Sequence, residues 1–185
     1  MDNRTRILEA ALNLFITKGF DGTPTAKIAQ EAAVSNGTLF HYFKTKEVLI
    51  SELYMSIKEE YKHYLLENIP KSETLKGRLK QLWICCARWH AENKDKVTFF
   101  MMFTSSPHIN NLTKAESSRN FIFIYELFTE GIEKEIIIDI DQGLIMHYFY
   151  SSISAFSNFV AEGSDRFDKF VEAAFQMWWR SAASI

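Results

Sequence analysis

Residues 25–46, TAKIAQEAAVSNGTLFHYFKTK, constrain the fold more than any other stretch of this chain. Ala26, Ile28, Ala29 and Ala32 give one apolar side at helical spacing, and Thr25 is suited to the N-cap. The turn Ala33-Val34-Ser35 ends that helix and puts Val34 into the angle with the next one. Asn36-Gly37-Thr38 opens a second short helix, Gly37 to Tyr42, in which Leu39 and Phe43 share the inward side at i and i+4. Asn36, Thr38, His41 and Tyr42 then point outward. Lys44-Thr45-Lys46-Glu47 stops this helix and caps a third.

Two helices joined by a short turn can set the second in the major groove of DNA, with its N-terminal residues nearest the base edges. Thr38 and Tyr42 can donate to phosphate oxygens, and Lys46 adds charge at a helix N-terminus, itself an anion site. Gly37 lets a backbone come close. The candidate DNA-contacting residues are therefore Thr25, Ser35, Asn36, Gly37, Thr38, Phe40, His41, Tyr42 and Lys46. His41 touches bases or covers a sugar.

The run VSNGTLFHYFKTKEVL (residues 34–49) resembles the signature of the TetR, or tetracycline-repressor-like, family of bacterial transcription regulators. ILEAALNLFITKGFDGT (residues 7–23) is similar to that family's opening helix. The resemblance covers about the first 50 residues in detail and the rest only in length and helical character. It implies an all-α chain with a helix-turn-helix DNA-binding domain over residues 1–46 and a helical effector-binding and dimerisation domain over 47–185. It also implies a homodimer formed through the last two helices, acting as a repressor on a palindromic duplex operator. Two positions depart from the family pattern. Phe40 stands where Tyr is common, which removes a hydroxyl, and Asn36 stands where Lys is common, which removes a charge but can still pair with an adenine edge.

Composition agrees with a helical chain. Only 7 Gly and 3 Pro interrupt 185 residues that are 47% apolar, a pattern of long helices rather than many-stranded sheet. The formal charge is −2; residues 1–50 carry six Lys/Arg against five Asp/Glu, a net of +1, which leaves −3 for the remainder. DNA binding would then rest on a few placed contacts and not on a broad basic field. No apolar run reaches the ~18–20 residues of a membrane span. The polar N-terminus lacks a signal-peptide core, and the two adjacent cysteines, Cys85 and Cys86, form no disulfide framework; both favour a cytoplasmic protein.

Along the chain, Ile7, Ala11, Leu14 and Phe15 mark a first helix over 4–18, expected to pack on Ile28, Leu39 and Phe43, with Phe20 anchoring the turn after it. A fourth helix from Thr45 to about Asn68 carries Leu49, Leu53, Ile57, Tyr61 and Tyr64 on one side and is expected to belong to both halves. A fifth over 72–93 presents Leu75, Leu79, Leu82, Trp83, Cys86 and His90. Lys94-Asp95 is read as a break before a short helix over 97–103. Residues 105–111 read as loop, and Thr113-Lys114-Ala115-Glu116 as a capping box for a helix with Phe121, Ile124, Tyr125, Phe128 and Ile132 inward. Ile136-Ile137-Ile138 reads as a buried connector. The last two helices, 141–162 and 165–183 with a break at Gly163-Ser164, are apolar on more than one side. One face needs a partner, so Phe149, Phe156, Phe167, Val171 and Trp178 are the candidate dimer interface.

With 16 Phe, 7 Tyr and 4 Trp, the chain holds more large aromatics than a tight small core readily uses. Trp83, Cys86, His90, Phe99, Phe103, Phe121, Tyr125 and Tyr148 are the candidate lining of a cavity for a small apolar or aromatic effector. Cys86 and His90, one turn apart, offer an alternative as a metal or thiol sensor, with His108 and His147 free to join. A metal site needs three or four ligands, and a buried thiol beside a core histidine is the plainer reading. No phosphate loop, Gly-x-Ser-x-Gly elbow or acid-base constellation is present, so neither an enzyme nor a cofactor is expected.

Overall fold

Two short segments that could not be helical alone are held by a longer one that can. In the computed structural model, which describes residues 2–70, 72–106, 121–161 and 165–184, the helices are α1 (Asn3–Lys18), α2 (Thr25–Glu31), α3 (Asn36–Tyr42), α4 (Lys46–Asn68), α5 (Leu75–Glu92), α6 (Lys94–Thr104), α7 (Ile122–Glu133), α8 (Gln142–Val160) and α9 (Arg166–Ala182). Among the described residues the fold is all-α; the only β feature is an isolated antiparallel bridge between Ile137 and Ala183. No helix among them is long and apolar enough to cross a membrane.

The chain forms two compact units. One gathers the residues up to Glu60 with the segment that begins at Lys94; the other gathers Tyr61–Asn93 with the segment from Phe121. α4 thus contributes Lys46–Glu60 to the first and Tyr61–Asn68 to the second.

In the first unit α1 starts on Asp2, whose carboxylate accepts from Thr5 N–H at 2.7 Å; that bond holds the Asp2 carboxyl below its usual range. The helix ends at Gly19, which takes φ +74° and donates to the Phe15 carbonyl at 2.8 Å. Thr23 is fully buried and its hydroxyl donates to the Gly19 and Leu14 carbonyls, so a polar residue that the sequence reading did not single out helps close the turn. Phe20 is the expected anchor: its ring meets Phe15 edge-on at 5.2 Å and Phe99 of α6 at 5.8 Å. α6 starts at Lys94, three residues earlier than its apolar run. The break falls on Asn93, whose amide and side chain both donate to the Trp89 carbonyl, so Lys94-Asp95 is the first turn of a helix and not its interruption.

In the second unit α5, α8 and α9 pack around Trp83, Trp89, Phe128, Phe149, Phe175 and Trp178, all at most 2% exposed. Trp83 Nε1 donates to Ser152 Oγ at 2.9 Å, and Ser152 donates on to the Phe149 carbonyl at 2.7 Å, which satisfies the one polar atom of this buried side chain. α5 starts at Leu75 with Thr74 as its cap, later than residue 72, because the Thr74 hydroxyl accepts from Gly77 N–H at 3.1 Å. Tyr125 faces solvent at 41% exposure, contrary to the inward position expected of it, while Phe121, Ile124 and Phe128 are buried. The expected capping box at residues 113–116, most of the loop at 105–111 and the break at Gly163-Ser164 lie outside the described residues.

Ile136-Ile137-Ile138 is a connector as expected, and it is pinned at both ends. The Ile136 and Ile137 amides donate to the Gly131 carbonyl, Ile138 to Ala182 O and Ser184 to Ile136 O. Gly131 has no room for a side chain: a Cβ there would meet Ile137 Cδ1 at 2.5 Å and Leu75 Cδ2 at 3.2 Å. Gly131→Ala is expected to destabilise the protein by about 1–2 kcal/mol net of the better helix propensity of Ala, a fall in Tm of roughly 2–8 °C by differential scanning calorimetry. An unchanged or higher Tm would show that Ile137 has a second rotamer available.

Candidate nucleic-acid interface

The turn between α2 and α3 is built on a strained residue. Ala33 takes φ +52°, a left-handed conformation uncommon for a residue with a Cβ. Its carbonyl accepts from Arg6 Nη2 of α1 at 2.7 Å, and Val34 N–H returns to the Ala29 carbonyl at 2.9 Å. Arg6 therefore compensates a backbone geometry that costs on the order of 1–3 kcal/mol. α2 begins at Thr25 with Pro24 in the cap position. The Pro24 carbonyl accepts from Lys27 and Ile28, so Thr25 is the first helical residue and not the cap it was expected to be.

Ser35 caps α3. Its hydroxyl oxygen accepts from Thr38 N–H at 3.0 Å and lies 2.9 Å from the Thr38 hydroxyl, which starts the helix at Asn36, one residue earlier than Gly37. Leu39 and Phe43 are 0% and 1% exposed and carry the packing of α3. The Arg4 guanidinium lies 5.8 Å from the centre of the Phe43 ring and pairs with Glu52 of α4 at 2.7 Å. Arg4 and Arg6, neither singled out in the sequence, thus tie α1 to the helices that follow. Their partners lie 48 and 27 residues away, a separation no local pattern reveals.

What remains of α3 faces outward. Asn36, Gly37, Phe40, His41 and Tyr42 are exposed, Phe40 and Tyr42 both at 42%, with the His41 and Tyr42 rings edge-on at 5.5 Å. Thr38 is half-buried and its hydroxyl is shared with Ser35, so it serves the cap as well as the exterior. A Cβ on Gly37 would meet only Ser35 Oγ, at 3.7 Å. The fold itself does not require glycine there, and the space it leaves lies outside. Thr45 caps α4 by accepting from Val48 N–H at 3.2 Å, which sets Lys46 in the first turn; Lys27 and Lys44 are exposed nearby in sequence. The arrangement is a short helix held by capped ends and contacts from α1, whose outer face can reach groove edges and phosphates.

The candidate effector residues do not form one set. Phe99 and Phe103 belong to the first unit, fully buried there, Phe103 stacked on Tyr54 at 4.2 Å. Trp83, Cys86, His90, Phe121, Tyr125 and Tyr148 belong to the second. Of these, His90 and Phe121 meet around Tyr61, at 5.9 and 5.6 Å between rings, and Cys86 is fully buried. Burial pushes the Tyr61 and Tyr150 hydroxyls well above their usual range, and burial also raises Cys85, whose thiol donates to the Asn68 carbonyl. Tyr125 and Tyr148 face solvent. Among the described residues no group of three His, Cys, Asp or Glu is placed to hold a metal ion; His147 is exposed and His108 lies outside them.

The candidate interface residues also divide. Phe149 and Trp178 face the chain's own core, 5.0 Å apart edge-on, and Phe156 is 6% exposed, while Phe167 and Val171 are half-buried. The solvent-facing apolar surface of α8 and α9 is instead Tyr148, Phe159 and Met177, the last 75% exposed, along a groove of about 470 Å3. Helical spacing had shown two apolar faces without showing which one the core takes.

Residues 7–53 match the sequence profile of the bacterial regulatory proteins of the tetR family. The uncharacterised HTH-type transcriptional regulator YvkB of Bacillus subtilis is 30% identical over 154 residues, which cover 78% of this chain and 79% of that protein. Among solved structures, a tetR family transcription regulator from Shewanella sp. PV-4 superposes with a TM-score of 0.91 at 29% identity over the whole of both chains. The regulator FadR of Bacillus subtilis, in complex with stearoyl-CoA, shares the fold with a TM-score of 0.76 at 19% identity, over 96% of this chain and 98% of that one.

Arg6→Met removes the donor to Ala33 while keeping most of the side-chain bulk. It is expected to cost about 1–2 kcal/mol in urea unfolding of the full chain. A change under ~0.5 kcal/mol would mean the turn holds its shape without the guanidinium.

Proposed function

From the premise that this chain belongs to the tetR family of bacterial regulatory proteins, a helix-turn-helix transcriptional regulator, we propose that it is a ligand-responsive repressor that binds a palindromic operator as a homodimer. The observation that carries the reading is the division of labour on α3: Leu39 and Phe43 do its packing, and Asn36, Gly37, Phe40, His41 and Tyr42 are left to the exterior. Residues 1–46 form the reading head, with Thr25, Ser35, Thr38 and Lys46 at helix starts suited to phosphate. Two heads from two copies enter successive major grooves about 34–36 Å apart or a multiple of that.

The remainder, residues 47–185, takes the effector and the second copy. The exposed Tyr148, Phe159 and Met177 on α8 and α9 favour pairing with the same helices of another subunit, Phe167 and Val171 at its rim. An apolar or aromatic effector in the second unit acts through α4, which runs from the reading head to Asn68. It releases DNA only if it binds the non-reading state more tightly, a shift of population between two arrangements of the heads.

Selection of random duplex DNA by the purified protein tests the reading. Enrichment of a palindrome is expected, with Tyr42→Ala and Lys46→Ala both weakening binding and Lys46→Ala lowering the salt slope by about 1. Absence of enrichment at moderate salt would overturn it, and the Phe40 and Asn36 departures would then be the reason to examine first.

A further inference from the structure

A cavity of about 460 Å3 opens in the second unit where the chain passes from α4 into α5 and meets α7. Ile69, Leu82, Phe123 and Leu127 make its walls apolar. Ser72 and Arg78 supply its polar atoms. The volume lies within the ~300–1,000 Å3 of small-ligand pockets, and an apolar cleft with a few convergent polar groups is their usual build. None of the aromatic residues selected from the sequence as effector contacts lines it.

The charge at this site has a definite sign. Arg78 Nη2 donates to Glu130 Oε1 at 2.6 Å, and Lys134 Nζ donates to the same oxygen at 2.7 Å. Two cations on one carboxylate leave a surplus of one positive charge. The two donors hold the Glu130 carboxyl down to about 2, Arg78 contributing most, so Glu130 stays a carboxylate across the range in which proteins work. Among the described residues Glu130 is the one carboxylate paired with Arg78, through a single N–H of a guanidinium that carries five. The fork therefore has donors to give to a second carboxylate from the cavity side. Ser72 can join it. Gly77 makes room for that hydroxyl, since a Cβ there would stand 2.0 Å from Ser72 Oγ.

The geometry points to this cavity as the binding site for a small monocarboxylate with an apolar tail, the tail against Leu82, Phe123 and Leu127 and the carboxylate on Arg78 and Ser72. A neutral apolar ligand would leave the remaining N–H donors of Arg78 to water, and a cationic one would be repelled by the guanidinium. The inference rests on the reading of the second unit as the effector-binding half, and it names the class of effector.

The test is titration calorimetry of the full chain with decanoate, below its micelle concentration, and with decanol, the neutral molecule of equal length. Decanoate is expected to bind at least ~10-fold more tightly, the factor of one charge-assisted hydrogen bond. Arg78→Met is expected to abolish that difference. Glu130→Gln, which removes the internal competitor, is expected to tighten decanoate several-fold, and it keeps the idea testable if Arg78→Met fails to fold. Equal affinity for the two probes, no binding of decanoate, or a folded Glu130→Gln protein with unchanged or weaker decanoate affinity would overturn the site. The DNA selection fails independently: a protein that binds decanoate through Arg78 yet enriches no duplex keeps the site and loses the regulator reading.

Discussion

The first unit depends on tertiary burial of two helices too short to exist without it. α2 and α3 have seven residues each, below the ~12–15 at which an isolated helix becomes even marginal in water. Ile28, Ala29, Leu39 and Phe43 supply the missing stabilisation by entering the core with Ile7, Leu14 and Phe15 of α1. The turn between them needs more than apolar contact, because Ala33 is held in a left-handed conformation and its carbonyl must be satisfied. Arg6 does this from α1, and Arg4 reaches Phe43 and Glu52 from the same helix. The presentation of α3 is therefore set by α1 as much as by α3 itself. That is the rigidity a reading helix needs, since base contacts are lost with small errors of position.

The second unit solves a different problem, the disposal of a large aromatic load. Trp83, Trp89, Phe128, Phe149, Phe175 and Trp178 are consumed by a dense core with frequent edge-to-face rings, among them Phe128–Phe149 at 5.3 Å and Phe149–Trp178 at 5.0 Å. The cavity is elsewhere, at the entry to α5, where chain connections leave gaps that regular helix packing does not. Its apolar wall is mainly aliphatic, with Phe123 the one aromatic residue, and its polar atoms come from Ser72 and Arg78. The aromatic load was read from the sequence as the lining of an effector cavity; of the residues selected for it, Trp83 is core of this unit and none lines the cavity at the entry to α5.

The outward residues of α3 were nearly all legible. Asn36, Gly37, Phe40, His41 and Tyr42 sit where a helical wheel drawn on Leu39 and Phe43 puts them, because one turn of helix transmits orientation with little error. Thr25 was misassigned by one position, since Pro24 competes for the cap and a proline has no amide to lose there. Tyr125 was misplaced because it stands at the edge of the apolar side of α7, next to the polar stripe of Glu126, Thr129, Glu130 and Glu133. The Cys86 and His90 pair was correctly spaced on one helix face, and that face turned out to be the interior of the unit.

By itself the sequence determined the helical class, the order and approximate ends of the helices, and the outer face of α3. Each of these follows from residues within one or two turns of one another, where period, caps and turn residues act directly. Only the tertiary structure decided which of two apolar faces on α8 and α9 is core, how Arg4 and Arg6 brace the reading helix, and where a cavity with a cationic end lies. Those outcomes join residues 27 to 69 positions apart, such as Arg6 with Ala33, Arg78 with Glu130 and Trp83 with Ser152. At that separation, contact is decided by how whole helices pack and by which buried polar groups must be satisfied, and a local pattern carries neither.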